Sequence, residues 1–205
     1  TSPTKETIRE REQREFWQIA LGIRKTPSLK NRLIKRHTQK YCWLPFNYEG
    51  KVWNEKYFQT TLYQLAKNKI DPQRLLNQMK SSKKVLVEKQ KKLAKEIGLK
   101  KDKTFTYLFK IAREFMYIKD YRKNILYQSY YHLDYLIREI ARRLRLTPAQ
   151  VRHILPSEMK KTLLEKKYDP QELNERIKYT VLILDKKAGI SILIGQKAKE
   201  FTQKH

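Results

Sequence analysis

The sequence predicts a mainly α-helical protein of several helices, with one long central helix and a C-terminal β-hairpin. Its 205 residues include only 5 Gly and 7 Pro, too few for the many turns of a β-sandwich. Residues 104 to 144 contain neither Gly nor Pro, so one helix can run there for about 60 Å at 1.5 Å per residue. Near the C-terminus, two short runs rich in Ile, Leu and Val flank a turn that contains Gly189.

The first hundred residues are expected to form short helices separated by breakers. Ser2-Pro3 favours a helix start near Thr4, and Gly22 favours its end. Asn54 and Asp71 are cap residues by type, and Gly98 is a typical left-handed stop. The helices predicted here span residues 4–21, 28–38, 55–69, 72–79 and 82–97.

An aromatic loop, YCWLPFNYEG, follows the second helix and contains Pro45 and Gly50 as breakers. Its aromatic side chains and the Trp that follows are expected to cluster: Trp43, Phe46, Tyr48 and Trp53. Cys42 beside them is interpreted as a small buried hydrophobe, because no nearby base marks it as a nucleophile. Within this loop, Trp43 and Tyr48 are candidates to face a ligand.

The long helix carries apolar residues at three- or four-residue steps, which predicts one buried face. These are Leu108, Ile111, Phe115, Ile118, Ile125, Leu133, Leu136, Ile140 and Leu144. The series is interrupted at Arg122 and Ser129, which fall on the same face. A charge on a buried face needs a partner, so Arg122 is expected either to form a structural ion pair or to face an anionic ligand. Ser129, two turns later, is small enough to leave space for that ligand or for a packed Tyr.

After the long helix, capping signals predict short helices and then a hairpin. Thr147-Pro148-Ala149-Gln150 is a capping box, and Pro156 and Asp169-Pro170 each open another helix. The runs YTVLIL and ISILI flank DKKAG, with Gly189 free to take a positive φ. Both faces of these strands are apolar, so the hairpin should be covered on two sides, by helices or by chain not included here.

We expect one helical domain over residues 1–205, with helices and the aromatic loop in 1–101, the long helix and short capped helices in 102–178, and the hairpin in 179–195. Because the chain begins at Thr1 and not at Met, it is expected to be part of a longer protein. A single Cys excludes a disulfide framework and favours a reducing compartment, the cytoplasm by default. No apolar run approaches the length of a membrane helix, so no membrane partner is expected.

The formal net charge of +26 indicates an anionic partner, such as nucleic acid or a phosphorylated ligand. The 4 His residues do not stand with Cys, Asp or Glu at metal-ligand spacing, so no metal site is predicted. The 5 Gly residues are too scattered for a phosphate-cradling loop. No cofactor site and no catalytic residue are therefore predicted in this chain.

Residues 138–155, REIARRLRLTPAQVRHIL, are similar to a helix-turn-helix DNA-binding motif. Ala141 and Val151 have the spacing and size of its inward contacts. The residues that would reach phosphates or bases are Arg142, Arg143, Arg145, Arg152 and His153. Arg145 stands where Gly is usual and would adopt a left-handed conformation at a cost of roughly 1 kcal/mol. The alternative interpretation is a purely structural turn between two helices.

Three segments together resemble the helical region of phosphoenolpyruvate-utilising phosphotransferases, in phosphoenolpyruvate synthase-like and rifampicin phosphotransferase-like proteins. They are HTQKYCWLPFNYEGKVWNEKYF (37–58), IKDYRKNILYQSYYHLDYLIREIARRLRLTPAQVRHILPSEM (118–159) and ELNERIKYTVLILDKKAGISILIGQKAKEF (172–201). In that family the region lies between an ATP-grasp domain and a swivelling phosphohistidine domain.

The resemblance implies a connecting and acceptor-binding region that is not catalytic alone. ATP and Mg²⁺ would bind only to an ATP-grasp domain that this sequence lacks, and a phosphohistidine domain would carry the phosphoryl group, each in cis or in trans. The family's Gly-rich loop before the phosphohistidine is also absent from the sequence. The chain would be either a fragment of such an enzyme or a degenerate homologue that kept the helical region. The alternative, a basic nucleic-acid-binding module that uses the segment at 138–155, would explain the charge of +26, which the resemblance does not. A third interpretation is a scaffold that docks on an acidic partner.

Overall fold

The computed structural model describes residues 5–48, 50–98, 102–185 and 189–204. Helices make up most of it and a two-stranded antiparallel hairpin follows near the C-terminus, so the predicted fold class is confirmed. The elements are α1 Ile8–Lys25, a 3₁₀ turn Pro27–Leu29, α2 Lys30–Tyr41, α3 Glu55–Lys67, α4 Pro72–Glu96, α5 Lys103–Leu144, α6 Pro148–Arg152, α7 Pro156–Glu165, α8 Pro170–Lys178, β1 Thr180–Asp185, β2 Gly189–Ile194 and α9 Gly195–Lys204.

Helix starts follow the capping residues, and two predicted helix ends are wrong. Asn54 and Asp71 accept hydrogen bonds from the first turns of α3 and α4, as predicted. Helix α1, however, begins after a capping box at Thr7 and continues through Gly22, because a single Gly costs a helix only about 1 kcal/mol. Helix α4 likewise continues past Met79, where no Gly or Pro interrupts the backbone.

The chain divides into two compact units, Thr1–Tyr131 and His132–His205. The first unit contains two hydrophobic clusters, Phe16 with Ile34 and Phe58, and Tyr41 with Trp43, Leu44 and Tyr127. The second contains one, formed by Ala141, Val151, Ile154 and Leu173. The single domain expected from the sequence stays a prediction.

The predicted buried face of α5 is wrong. Its buried residues between 120 and 131 are Asn124 and Tyr127, and Asn124 donates a hydrogen bond to the backbone oxygen of Asp120 at 2.8 Å. Most members of the predicted face are exposed: Leu108, Phe115, Ile118, Ile125, Leu133 and Leu136. The face that packs is formed by Tyr127, an aromatic residue with a polar group, and by Asn124, whose amide bonds to its own helix. A search for aliphatic residues at helical spacing does not detect such a face.

In the second unit, α5 ends in a turn to α6, and β1 pairs with β2 in the register Thr180↔Ile194 to Asp185↔Gly189. Gly189 has φ +79°, as predicted, whereas residues 186–188 of the predicted turn lie outside the described residues. Leu184 and Ile190 are exposed on one face of the hairpin, so that face is not covered by the part of the chain that the structure describes. Over the same part, no helix combines the length and apolar character needed to cross a membrane.

Candidate functional site

The aromatic loop after α2 is held together by buried rings and main-chain hydrogen bonds. Trp43 packs with Tyr41 and Tyr127, and its indole Nε1 donates to the backbone oxygen of Lys40 at 2.9 Å. The backbone nitrogen of Trp53 donates to the oxygen of Cys42 at 3.0 Å and brings the chain back toward α3. Trp43 is therefore buried with its only polar donor engaged, and it does not face open solvent where a ligand would bind.

Gly50 lets this loop close tightly. A Cβ atom at this position would lie 2.5 Å from the backbone oxygen of Phe46, closer than any real side chain comes. Asn47, three residues earlier, adopts a left-handed φ of 56°, which Asn tolerates better than most residues. The loop's conformation thus depends on these two residue types.

Tyr48 is the loop residue that presents an exposed ring. It is 59% exposed and packs edge-on against Tyr130 and Tyr127, with ring centroids 5.2 and 6.0 Å away. The ligand-facing role of Tyr48 stays a prediction.

Arg122 and Ser129 lie on the exposed side of α5, which contradicts their predicted burial. The Ser129 hydroxyl donates to the backbone oxygen of Ile125 at 2.9 Å. Arg122 and Tyr127 are five positions apart, which places them about 140° apart around the helix. The structure therefore does not bring Arg122 and Ser129 into one site with Trp43, which packs on Tyr127.

The helix-turn-helix-like turn has the local conformation that the sequence indicates. Arg145 has φ +55°, and the Thr147 and Gln150 side chains form the predicted capping box. Ala141 and Val151 meet in one buried cluster. Helix α6 has only 5 residues, however, which is little more than one turn and short for a recognition helix.

Two of the predicted nucleic-acid contacts are engaged by one carboxylate. Arg142 binds both oxygens of Glu139, at 2.8 and 2.9 Å, and Arg143 donates to the same carboxylate at 2.8 Å. These hydrogen bonds, Arg142 first, lower the pKa of Glu139 to about 2. A phosphate would have to compete with Glu139 for both guanidinium groups.

The remaining predicted contacts differ in their surroundings. Arg152 forms an ion pair with the buried Asp134, which also accepts from Arg138 at 2.6 Å. His153 is partly buried, and its Nδ1 donates to the backbone oxygen of Ala149 at 2.8 Å. Arg145 is exposed on the turn itself. The turn thus offers Arg145 readily to an anion, whereas Arg152 and His153 stabilise the fold.

Sequence reasoning missed a buried arginine in α8. Arg176 is 5% exposed and binds Glu158 through two hydrogen bonds of 2.7 Å, Glu172 on its own helix, and the backbone oxygen of His153. The hydrogen bonds with Glu158, above all, raise the pKa of Arg176, and Arg176 lowers the pKa of Glu158. Only the Glu172–Arg176 spacing of four residues was visible in the sequence, and it does not predict burial.

A second missed pair lies in the first unit. His37 is 3% exposed, its Nε2 lies 2.9 Å from a carboxylate oxygen of Glu12, and its ring packs against Phe16, Tyr41 and Phe58. These rings come from three helices, so no local pattern could have predicted the cage. Among the described residues, no group of three His, Cys, Asp or Glu side chains is placed to hold a metal ion.

A groove of about 450 Å³ lies between α1 and α4. Its apolar lining includes Trp17, Leu75 and Met79, and Lys80 and Lys83 add positive charge. Arg14, also in the lining, is held by Glu6 at 2.7 Å. The volume falls in the ordinary range for small-ligand sites, and an apolar floor with a few charged groups is their usual composition.

Comparison of the chain with family models, with curated proteins and with solved structures found no match.

Proposed function

We propose that the chain is the connecting and acceptor-binding helical region of a phosphoenolpyruvate-utilising phosphotransferase. The catalytic chemistry belongs to ATP-grasp and phosphohistidine domains outside this sequence, in a reducing compartment that the single buried Cys42 favours. The order of elements supports this proposal. It is the order expected for the helical region of that family: an aromatic loop, a helix of 42 residues, a capped turn, short helices and a hairpin.

The observation that carries the acceptor-binding role is the groove between α1 and α4. It combines Trp17 with Lys80 and Lys83, which suit an acceptor with a ring and an anionic group. Its two carboxylates are engaged, Glu6 by Arg14 and Glu10 by the backbone nitrogen of Thr7. A small acceptor that binds there changes the fluorescence of Trp17. Replacing Trp17 with Phe removes that change, whereas Trp53→Phe, in the loop before α3, retains it.

A chimera tests the connecting role. The helical region of a phosphoenolpyruvate synthase-like enzyme is replaced by residues 1–205, and a matched chimera contains a Gly/Ser linker of equal length. We expect phosphate-labelled ATP to label the phosphohistidine faster in the first chimera, because a folded connector keeps the two domains at a high effective concentration. Equal labelling rates in both chimeras would contradict the proposal.

The isolated chain should not be phosphorylated. Incubation with labelled ATP or phosphoenolpyruvate is expected to leave it unlabelled, since it contains no phosphate-cradling loop and no histidine in a phosphohistidine context. Stoichiometric acid-labile label on any of its 4 histidines would overturn the domain assignment.

A nucleic-acid-binding module is the second candidate, favoured by the left-handed Arg145 between the packed residues Ala141 and Val151. It requires a preferred duplex to bind at least about 10³ times more tightly than random duplex, with Arg145→Ala, at the exposed residue of the turn, relaxing the preference. The phosphotransferase proposal requires only weak binding without sequence preference, falling with salt by a slope near −0.9 per phosphate neutralised. Enrichment of one motif in a selection experiment would favour the second candidate.

A further inference from the structure

The exposed side of α5 in the first unit bears a continuous row of large apolar side chains around one arginine. We call it the outer stripe; its residues are Leu108, Phe115, Ile118, Arg122, Ile125 and Leu126. Phe115 is 66% exposed, Ile118 51% and Leu108 50%. Single exposed apolar residues are ordinary, but a row at helical spacing marks an interaction surface.

The charges beside the outer stripe are positive. Lys119, one position after Ile118, is exposed next to it, whereas the ammonium group of Lys123 lies 5.5 Å from the centre of the Tyr127 ring, toward the packing face. The part of α5 before residue 132 has two carboxylates, and both are engaged. Glu114 binds Lys5 at 2.6 Å, and Asp120 accepts from Asn124 at 3.0 Å. An occupant of the stripe therefore meets Lys119 and Arg122, because Glu114 is already paired with Lys5 and Asp120 lies about 160° around the helix from Arg122.

Arg122 lies near the middle of the stripe, four residues after Ile118 and three before Ile125. Its side chain is exposed, and no hydrogen bond or ion pair joins it to another described residue. The guanidinium group offers a planar fork of donors that matches a carboxylate in a bidentate pair. Its place among apolar residues favours a partner with one carboxylate inside an apolar face.

We propose that the outer stripe docks an acidic amphipathic helix of a partner protein. The helix presents apolar residues at three- and four-residue steps, acidic residues along its flanks, and a carboxylate opposite Arg122. This inference goes beyond the proposed function and does not depend on it.

Three other occupants fit the stripe less well. A second copy of the chain brings another +26 charge and the same cations, so like charges would meet. On a membrane, the guanidinium group of Arg122 would have to leave the middle of the apolar face to reach the headgroups. Single-stranded nucleic acid stacks its bases on aromatic rings, whereas Leu108, Ile118 and Ile125 are aliphatic.

A synthetic helix of about 20 residues, roughly 30 Å long, serves as the probe. It bears Leu at three- and four-residue steps, Glu on the flanks and one central Glu in the apolar face. Its binding to the whole chain is followed by fluorescence anisotropy. We expect saturable binding, at least about tenfold weaker for Arg122→Glu and restored when Arg replaces the central Glu of the peptide.

Arg113→Glu is the matched control, because it makes the same charge change nine positions away, on the opposite side of α5. It should weaken binding less than Arg122→Glu and gain nothing from the Arg-containing peptide. Ile118→Gln tests the apolar part and should also weaken binding about tenfold. All three residues are exposed, and circular dichroism confirms that each variant is folded.

The proposal is overturned by equal effects of Arg122→Glu and Arg113→Glu without rescue, which would mean only general charge attraction. It is also overturned if no saturable binding is seen up to about 1 mM peptide. Tighter binding of phosphatidylglycerol vesicles or of a single-stranded RNA oligonucleotide, lost in Ile118→Gln, would replace the helix with that ligand. A dimer that persists at about 0.01 M salt, where the charges are least screened, and that Ile118→Gln dissociates in sedimentation would assign the stripe to a second copy.

Discussion

The turn that follows α5 and the outer stripe of α5 differ in what determines them. In the turn, contacts between near neighbours set the conformation: Thr147 and Gln150 cap each other, and the backbone nitrogen of Leu146 donates to the oxygen of Ala141, which ends α5 with Arg145 left-handed. On α5, two faces carry large side chains, and burial depends on which other segments pack against them. Local conformation thus follows from neighbouring residues, whereas the choice of buried face is a property of the whole fold.

The largest difference in unfolding free energy is expected between substitutions on the two faces of α5. Tyr127→Ala removes a side chain that is 8% exposed in a buried cluster, and about 4 kcal/mol of unfolding free energy should be lost. Phe115→Ala, on the outer stripe, should change it by less than about 0.5 kcal/mol. Urea unfolding followed by Trp fluorescence measures both, because Trp17, Trp43 and Trp53 all lie in the first unit. Equal losses would show that the stripe is also a packing face.

In the second unit, Arg176→Met should destabilise by roughly 2 kcal/mol, because Glu158 and Glu172, which are 38% and 43% exposed, lose the charged hydrogen bonds of their shared buried partner. Arg142→Met is the matched control, since Arg142 also binds a glutamate but its side chain is 70% exposed. The loss of unfolding free energy in Arg142→Met should be much smaller, because an exposed ion pair stabilises the fold only weakly. Urea unfolding followed by circular dichroism measures the two variants, and similar losses would contradict the role given to burial.

The ion pairs of Arg176 should also make the unfolding free energy depend on pH. The change with pH should be smaller than the loss caused by Arg176→Met. Arg176 lowers the pKa of Glu158 from its ordinary 4.5, so the ionised form stabilises the folded state above that value. The stabilisation is lost as pH falls through the lowered pKa of the folded protein. Urea midpoints from about pH 6 to about pH 3 should fall less steeply in Arg176→Met than in the unmodified chain. Parallel curves would exclude Glu158 as the source.

A gain of stability is expected at the turn. Arg145→Gly should add about 1 kcal/mol, since Gly adopts a left-handed φ without the strain that a Cβ atom causes. Arg143→Gly, two residues earlier in the helix, should instead lose about that amount. Thermal unfolding followed by circular dichroism compares the two. A loss at both positions would show that the Arg145 side chain contributes more than its backbone strain costs.

The smallest effect should be that of Arg122→Met on the isolated chain. The side chain is exposed and bonded to no described residue. The unfolding free energy should therefore change by no more than about 0.5 kcal/mol, the range of ordinary surface substitutions, and the melting temperature should hardly move. A large fall of the melting temperature in differential scanning calorimetry would indicate that Arg122 forms a buried ion pair. It would support the buried face that the sequence predicted.

The sequence predicted features that arise within a few residues of chain. Asn54, Asp71 and Thr147 were recognisable as caps, and Gly98 and Gly189 have the positive φ expected of them. The composition of residues 104–144 predicted an uninterrupted helix, which α5 confirms.

Long-range arrangements could not be predicted in the same way. The Glu12–His37 pair joins two helices, and the Glu158–Arg176 pair joins residues 18 positions apart. On α5, the exposed face has more branched aliphatic residues than the face that packs through Tyr and Asn. A prediction from hydropathy therefore assigned burial to the wrong face. The candidate site suffered the same error, because the placement of Arg122 and Ser129 depended on that face.

The outer stripe has a consequence for the colloidal behaviour of the protein. At low ionic strength, the charge of +26 keeps molecules apart and prevents apolar stripes from meeting. The Debye length falls from about 30 Å at 0.01 M salt to about 3 Å at 1 M, shorter than the reach of a lysine side chain. Salt therefore promotes self-association here while it weakens binding to polyanions. Light scattering should increase with salt in the unmodified chain and less in Phe115→Gln.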